Sequence, residues 1–417
     1  MTDGASTVGP VTRSSFARVG VATVVSALCG YAVLYLAARN LEPAGFSVFA
    51  VFWGAFGLLA GAANGLLQES TREVRQAQQA PAGPVVEGPR IHPLRVAALV
   101  GVFSAAAVLG TSPLWSGHVF VESRLLSVAL LSAGIAGFCM HATLLGVLAG
   151  VNRWTEYGSL IVGDAAMRVA VATATFLVGW GLVGYLWATV AGSIAWLVLL
   201  LASPAIRAAA RLLTPGTTVT FLRGASHSIA AAGASAILVM GFPVLLKATS
   251  QDLGAAGGVV ILAVTLTRAP LLVPLTALQG NLIAHFVDQR AARLRALMMP
   301  ALVVSGLGVA AVLVAGLAGP WLLQFAFGPE YQAGGALLAW FTAAAIAIAL
   351  LTLTGAATVA AALHRAYAAG WIGATLVSAL LLLLPVALET RTVVALMCGP
   401  LVGIAVHLGA LSRIPAA

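Results

Sequence analysis

The segment Leu253–Arg290, LGAAGGVVILAVTLTRAPLLVPLTALQGNLIAHFVDQR, reads as one long apolar helix with Arg268 near its middle and Pro270 and Pro274 just after. An arginine at bilayer depth costs about 2.5–3.5 kcal/mol on insertion scales, and more when it faces hydrocarbon. Such a residue faces a bundle interior or a wet cavity. Each proline removes a backbone donor, so the spacing predicts a bend just after Arg268, with Pro270 and Pro274 as a hinge. The segment predicts a membrane bundle built around a polar interior.

The rest of the chain agrees. Its 417 residues are 61% hydrophobic and 8% charged, against about a quarter charged in soluble domains; mean hydropathy is +1.03. Apolar runs of spanning length fall at roughly 16–38, 46–68, 94–112, 124–149, 156–178, 182–203, 222–246, 254–285, 298–319, 333–359, 366–387 and 392–411. No period-two alternation is visible, so all twelve are read as helices. The first run continues to Ala38, too far for a cleaved leader, and is read as a retained anchor.

The net charge of +9 is explained by where the arginines lie rather than by nucleic acid. With the N-terminus inside, fifteen basic residues fall on inner segments. Four (Arg39, Arg124, Lys247 and Arg391) fall on outer ones, and Arg168 and Arg268 lie within spans. That asymmetry places both termini in the cytoplasm. Residues 69–93 form the longest polar segment and are read as a mobile cytoplasmic linker; neither they nor residues 204–220 are long enough for a soluble catalytic domain. The domain division is 1–203 for an N-terminal six-helix lobe, 204–220 for a cytoplasmic linker and 221–417 for a C-terminal six-helix lobe.

A faint internal repeat runs at an offset of about 205–212 residues. Phe16-Ala17-Arg18 matches Phe221-Leu222-Arg223, Glu42 and Gly45 match Asp252 and Gly254, and Asn152-Arg153 matches His364-Arg365. Six helices separate the copies, so the repeat is parallel, as in transporters whose substrate sits between the halves.

Three stretches carry a family resemblance. Residues 37–74, AARNLEPAGFSVFAVFWGAFGLLAGAANGLLQESTREV, have a basic residue, a short Leu-Glu-Pro turn and a Gly-rich helix before charges. Phe327-Gly328-Pro329-Glu330-Tyr331 forms an outer-loop motif, and Gly150-Val151-Asn152-Arg153 an inner turn. In this order and spacing they resemble polysaccharide-export proteins of the MOP superfamily (multidrug, oligosaccharidyl-lipid and polysaccharide exporters, MATE-like). The resemblance implies two six-helix lobes in a V around a cavity lined by spans one, two, seven and eight. It also implies a flippase or exporter of polyprenyl-diphosphate-linked oligosaccharide, of the O-antigen type, in the cytoplasmic membrane. The related peptidoglycan-precursor flippases typically carry two further helices and fit less well. The implied partners are membrane lipid, the lipid-linked glycan, and a glycan polymerase or glycosyltransferases of the same pathway.

Each candidate residue has a functional and a structural reading. Arg268 binds the carrier diphosphate through its fork of donors, or pairs with a buried acid or a carbonyl freed by the prolines. The resemblance supports the first, since flippases of this superfamily use arginines on the first and eighth helices. Arg18 and Arg223 ring the cytoplasmic mouth, or are ordinary anchors. Arg39 and Lys247 close the outer ends of spans one and seven, either accepting the headgroup or snorkelling. Asp164 and Arg168, four apart on span five, form a structural pair or an ion-coupling site; the resemblance places span five at the periphery. His141, His227, His285 and His407 lack metal-ligand spacing, and Cys29, Cys139 and Cys398 read as small core residues. No nucleotide, zinc or nucleophile motif is present, so no cofactor or enzymatic step is expected. Rival readings are a cation-coupled multidrug exporter, a membrane glycan polymerase or ligase, and an inactive assembly partner.

Overall fold

The structure is a computed structural model that describes residues 13–79, 89–120, 122–278 and 293–413, with a few positions between 282 and 289. Nine helices among the described residues are long and apolar enough to cross a membrane. The first, Arg13–Gln79, holds two spans, because Glu42 leaves helical geometry (φ 56°, ψ 171°). Pro43 explains the break: it excludes helical backbone at the residue before it, and its own fixed φ starts the next helix. A bent pair, Thr218–Val239 and Phe242–Ala248, and the shorter His364–Leu381 complete twelve.

The spans are one (13–41), two (43–79), three (Pro93–Val119), four (Arg124–Gly150), five (Trp154–Val178) and six (181–202). The second set is seven (218–248, broken), eight (Gly254–Ala277), nine (Arg293–Leu317), ten (Gly335–Ala360), eleven (His364–Leu381) and twelve (Leu388–Ser412). Two short helices, Pro204–Ala210 and Gly319–Phe327, lie between spans. The large core joins aromatic side chains of spans two, six and seven, among them Phe49, Phe52, Tyr185 and Phe242.

The expected linker is corrected at both ends. Residues 69–79 continue span two as helix, with Glu69 and Ser70 buried, so the expected mobile linker does not begin at residue 69. Its far end is also fixed, since Arg90–Ile91 pairs antiparallel with Thr214–Pro215 from the segment between spans six and seven. Residues 80–88 and Arg290 lie outside the described residues. Span eight runs unbroken through Pro270 and Pro274 to Ala277. A sharp break falls in span seven, where the two pieces meet at 68°.

The repeat is visible in turn geometry. Asn152 (φ 59°) and Ala362 (φ 60°) hold equivalent left-handed positions after spans four and ten. Arg153 N–H donates to Leu148 C=O and Leu363 N–H to Thr358 C=O, an offset of 210 residues. Asn152 therefore matches Ala362, and the sequence pairing of Arg153 with Arg365 is two residues out of register. Glu42 (φ 56°) and Gly254 (φ 49°) open spans two and eight in the same way.

Candidate functional site

Arg268 stands where three spans converge, about 21 Å of helix from Gly254, well inside an apolar core about 30 Å thick. Only 7% of its surface is exposed. One nitrogen, Nη1, donates long hydrogen bonds to the carbonyls of Leu238 (3.5 Å) and Val239 (3.4 Å) in span seven. Its guanidinium carbon lies 5.1 Å from the centre of the Phe242 ring. Tyr31 of span one lies near it. No carboxylate pairs with it among the described residues, and Nη2 is buried without a partner.

The break in span seven explains the carbonyl contacts. A helix would satisfy Val239 C=O with the N–H of residue 243, but Pro243 has none. Arg268 supplies a donor across the gap. Both bonds lie beyond the usual 2.7–3.2 Å range, so they are weak and leave most of the fork unused.

Spans two and seven close against one another beside this site. Gly54, Gly57, Gly61 and Gly65 face span seven, and a Cβ on Gly65 would collide with the backbone of Ile229. These small residues let the two backbones approach closely. Toward the N-terminal face, the buried Glu69 carboxylate packs over Gly224 and bonds Arg72 at 2.6 Å. On the opposite face, Pro43 C=O sits where a Cβ of Gly258 would be. Tyr331 is buried in the loop after Gly319–Phe327, and its hydroxyl donates to Ala38 C=O at 2.9 Å. Burial and the nearby Glu330 and Glu42 carboxylates raise its pKa, so it stays a donor.

The other candidates occupy three levels. Arg18 is exposed at the N-terminal face and donates to Thr155 Oγ1 of span five at 3.0 Å. Arg223 is exposed on span seven, where its carbonyl meets His227 Nδ1 at 2.7 Å. Arg39 is exposed on the opposite face near Gly328. Lys247 is 5% exposed and its ammonium donates to Gln251 C=O at 2.9 Å, so it lies inside the protein rather than at a lipid interface.

Asp164 and Arg168 form a two-bonded pair, Nε to Oδ2 at 3.0 Å and Nη2 to Oδ1 at 2.9 Å. Arg168 also donates to Thr189 C=O of span six and lies over the Phe56 ring of span two at 5.2 Å. Span five thus packs against span two and, through Thr155, span one. Only one stripe of span five is buried (Leu160, Ala165, Arg168, Ala172 and Thr175), and its charged pair lies on that stripe. Among the histidines, His407 is fully buried between Thr354 Oγ1 and Tyr367 C=O. No group of three metal-ligating residues occurs among the described residues. Cys29, Cys139 and Cys398 are free.

The sequence reading missed Tyr31, Glu69 and Phe242. Pro243, inside an apolar run after Met240-Gly241, is the signal that would have located the break and with it Phe242. Glu69 was hidden by its charged neighbours, which read as linker.

No family model matches the chain. It is 70% identical over 405 residues to Uncharacterized protein Rv3630 of Mycobacterium tuberculosis (strain ATCC 25618 / H37Rv), covering 97% of this chain and 94% of that one. It is 66% identical over 418 residues to Uncharacterized protein Rv1510 of the same strain, covering 100% of this chain and 96% of that one. Among solved structures, an inward-facing multidrug resistance MATE family transporter of the MOP superfamily superposes with TM-score 0.69 at 14% identity. It covers 94% of this chain and 98% of its own. A MOP superfamily transporter from Pyrococcus furiosus, whose reverse pocket polarity suggests a different function, gives TM-score 0.61 at 14% identity over 95% of each chain. The fold is therefore the MATE fold, twelve helices in two lobes.

Proposed function

We propose a function for a chain that belongs to the same family as the Mycobacterium tuberculosis proteins Rv3630 and Rv1510. It is a flippase that moves a polyprenyl-diphosphate-linked oligosaccharide from the cytoplasmic to the outer leaflet by alternating access. The lobes 1–203 and 221–417 rock about the linker 204–220, with both termini in the cytoplasm. The observation that carries this reading is Arg268, a buried cation where spans one, seven and eight meet, with Nη2 lacking a partner among the described residues.

An unpartnered donor in a low-dielectric interior costs about 1–3 kcal/mol, which a charged acceptor would recover. A diphosphate presents the paired oxygens that an arginine fork matches. Binding it draws Nη1 from the long contacts to Leu238 and Val239 and frees the carbonyls at the break in span seven. The headgroup thereby reaches the broken span that packs against span two of the other lobe. Arg223 collects the headgroup at the cytoplasmic mouth and Arg39 receives it outside, while the prenyl tail stays in lipid. A positive interior that opens to water in turn on each side is what the task requires, because dragging charge and hydroxyls through hydrocarbon is prohibitive. The flipping step makes and breaks no covalent bond.

The cation-coupled drug exporter wants a carboxylate free in the central cavity. Asp164 is engaged by Arg168, and Glu69 by Arg72. The test is depletion of the protein in cells, followed by probing which leaflet holds the lipid-linked glycan. Accumulation on the cytoplasmic face, not rescued by Arg268→Met, is expected. Unchanged glycan distribution together with altered drug efflux would replace this reading with the exporter.

A further inference from the structure

Outside the lobe interface, a groove of about 510 Å³ opens between spans one and five on the N-terminal side of the bundle. Val21, Ala22 and Val25 line one wall, and Gly158 and Val162 the other. Its polar end is formed by Arg18, Trp154, Thr155 and Ser159. Each wall covers about seven residues of helix, roughly 10 Å. The groove lies within one lobe, so it is separate from the Arg268 site and does not depend on the transport reading.

Two observations decide what fills it. A concave apolar surface in a bilayer must meet hydrocarbon, because a void forfeits the dispersion contacts of its walls. The rim is positive. Arg18 reaches across to Thr155, and Arg75 lies over the Trp154 ring at 5.8 Å. Arg153 flanks them, and the adjacent acid, Glu156, is bonded to it at 3.3 Å. Among the described residues, no carboxylate lines the groove. An apolar trough about two turns long that ends in guanidinium and hydroxyl groups complements the headgroup end of a chain carrying phosphate.

We propose that this groove seats one acyl chain of an anionic phospholipid from the adjoining leaflet, with its phosphate held by Arg18 and the hydroxyls of Thr155 and Ser159. The lipid acts as a fixed wedge between spans one and five, and it ties span one to the Asp164–Arg168 helix.

The test is native mass spectrometry of the full chain purified in detergent and titrated with phosphatidylglycerol or phosphatidylcholine. The wild type should retain one phosphatidylglycerol at least about tenfold more strongly than phosphatidylcholine, the equivalent of about 1.4 kcal/mol. Arg18→Gln should erase that preference, and Gly158→Trp or Val162→Trp should remove the bound lipid altogether. Arg211→Gln, at an exposed arginine away from the groove, should leave it intact. Equal retention of the two lipids by the wild type would overturn the proposal. So would a preference that survives Arg18→Gln, or a bound lipid that survives both tryptophan variants in folded, monodisperse protein.

Discussion

Arg268 separates two accounts of a buried charge. A purely structural arginine would stabilise the fold through its bonds to Leu238 and Val239, but those bonds are 3.4–3.5 Å long and its second terminal nitrogen has no partner among the described residues. The desolvated cation offsets what the bonds contribute. We therefore expect Arg268→Met to change unfolding stability in detergent by no more than about 1 kcal/mol. Glycan transport should fall at least about tenfold, and Arg268→Lys should fall with it because a lysine cannot present paired donors. A loss of about 3 kcal/mol in stability with transport intact would assign Arg268 to structure alone. The expense of this arginine was legible in the sequence. Its partners were not, because Tyr31 and Phe242 come from spans more than twenty residues away in the chain and carry no local signal.

Among the elements, broken span seven is the one the sequence concealed. The prolines at 270 and 274 drew attention to span eight, which stays helical, whereas Pro243 leaves Val239 C=O without a helical donor. Restoring that donor should weaken the dependence on Arg268. A double-mutant cycle of Pro243→Ala with Arg268→Met should show coupling of about 0.5–3 kcal/mol, and strict additivity would deny the cap. Spacing of small residues sets the neighbouring seam. Gly65→Ala forces a Cβ into the Ile229 backbone and should destabilise by about 1–3 kcal/mol. Gly20→Ala, with nothing within 4 Å, should lie within about 0.5 kcal/mol of wild type. The twelve spans were legible because lipid demands long apolar runs. The helix over residues 69–79 was not, because its charges read as linker while its Glu69 side packs inward.

The whole molecule has two halves with the same turns at Asn152 and Ala362 and at Glu42 and Gly254, which the faint sequence repeat placed to within two residues. The lobe seam gives the proposed alternating access a direct handle. A Cβ on Gly233 would lie 3.4 Å from Ala62 Cβ, close to the spacing of a disulfide, about 3.5–4.5 Å. In a background lacking Cys29, Cys139 and Cys398, the pair Ala62→Cys and Gly233→Cys should cross-link on oxidation and stop transport, and reductant should restore it. The most direct measurement uses vesicles reconstituted with purified protein and a fluorescent polyprenyl-diphosphate-linked sugar, timing its passage between leaflets. Wild-type protein should move it at least about tenfold faster than equally incorporated Arg268→Met, the equivalent of about 1.4 kcal/mol of barrier. Equal rates for the two proteins, both no faster than empty vesicles, would contradict the account.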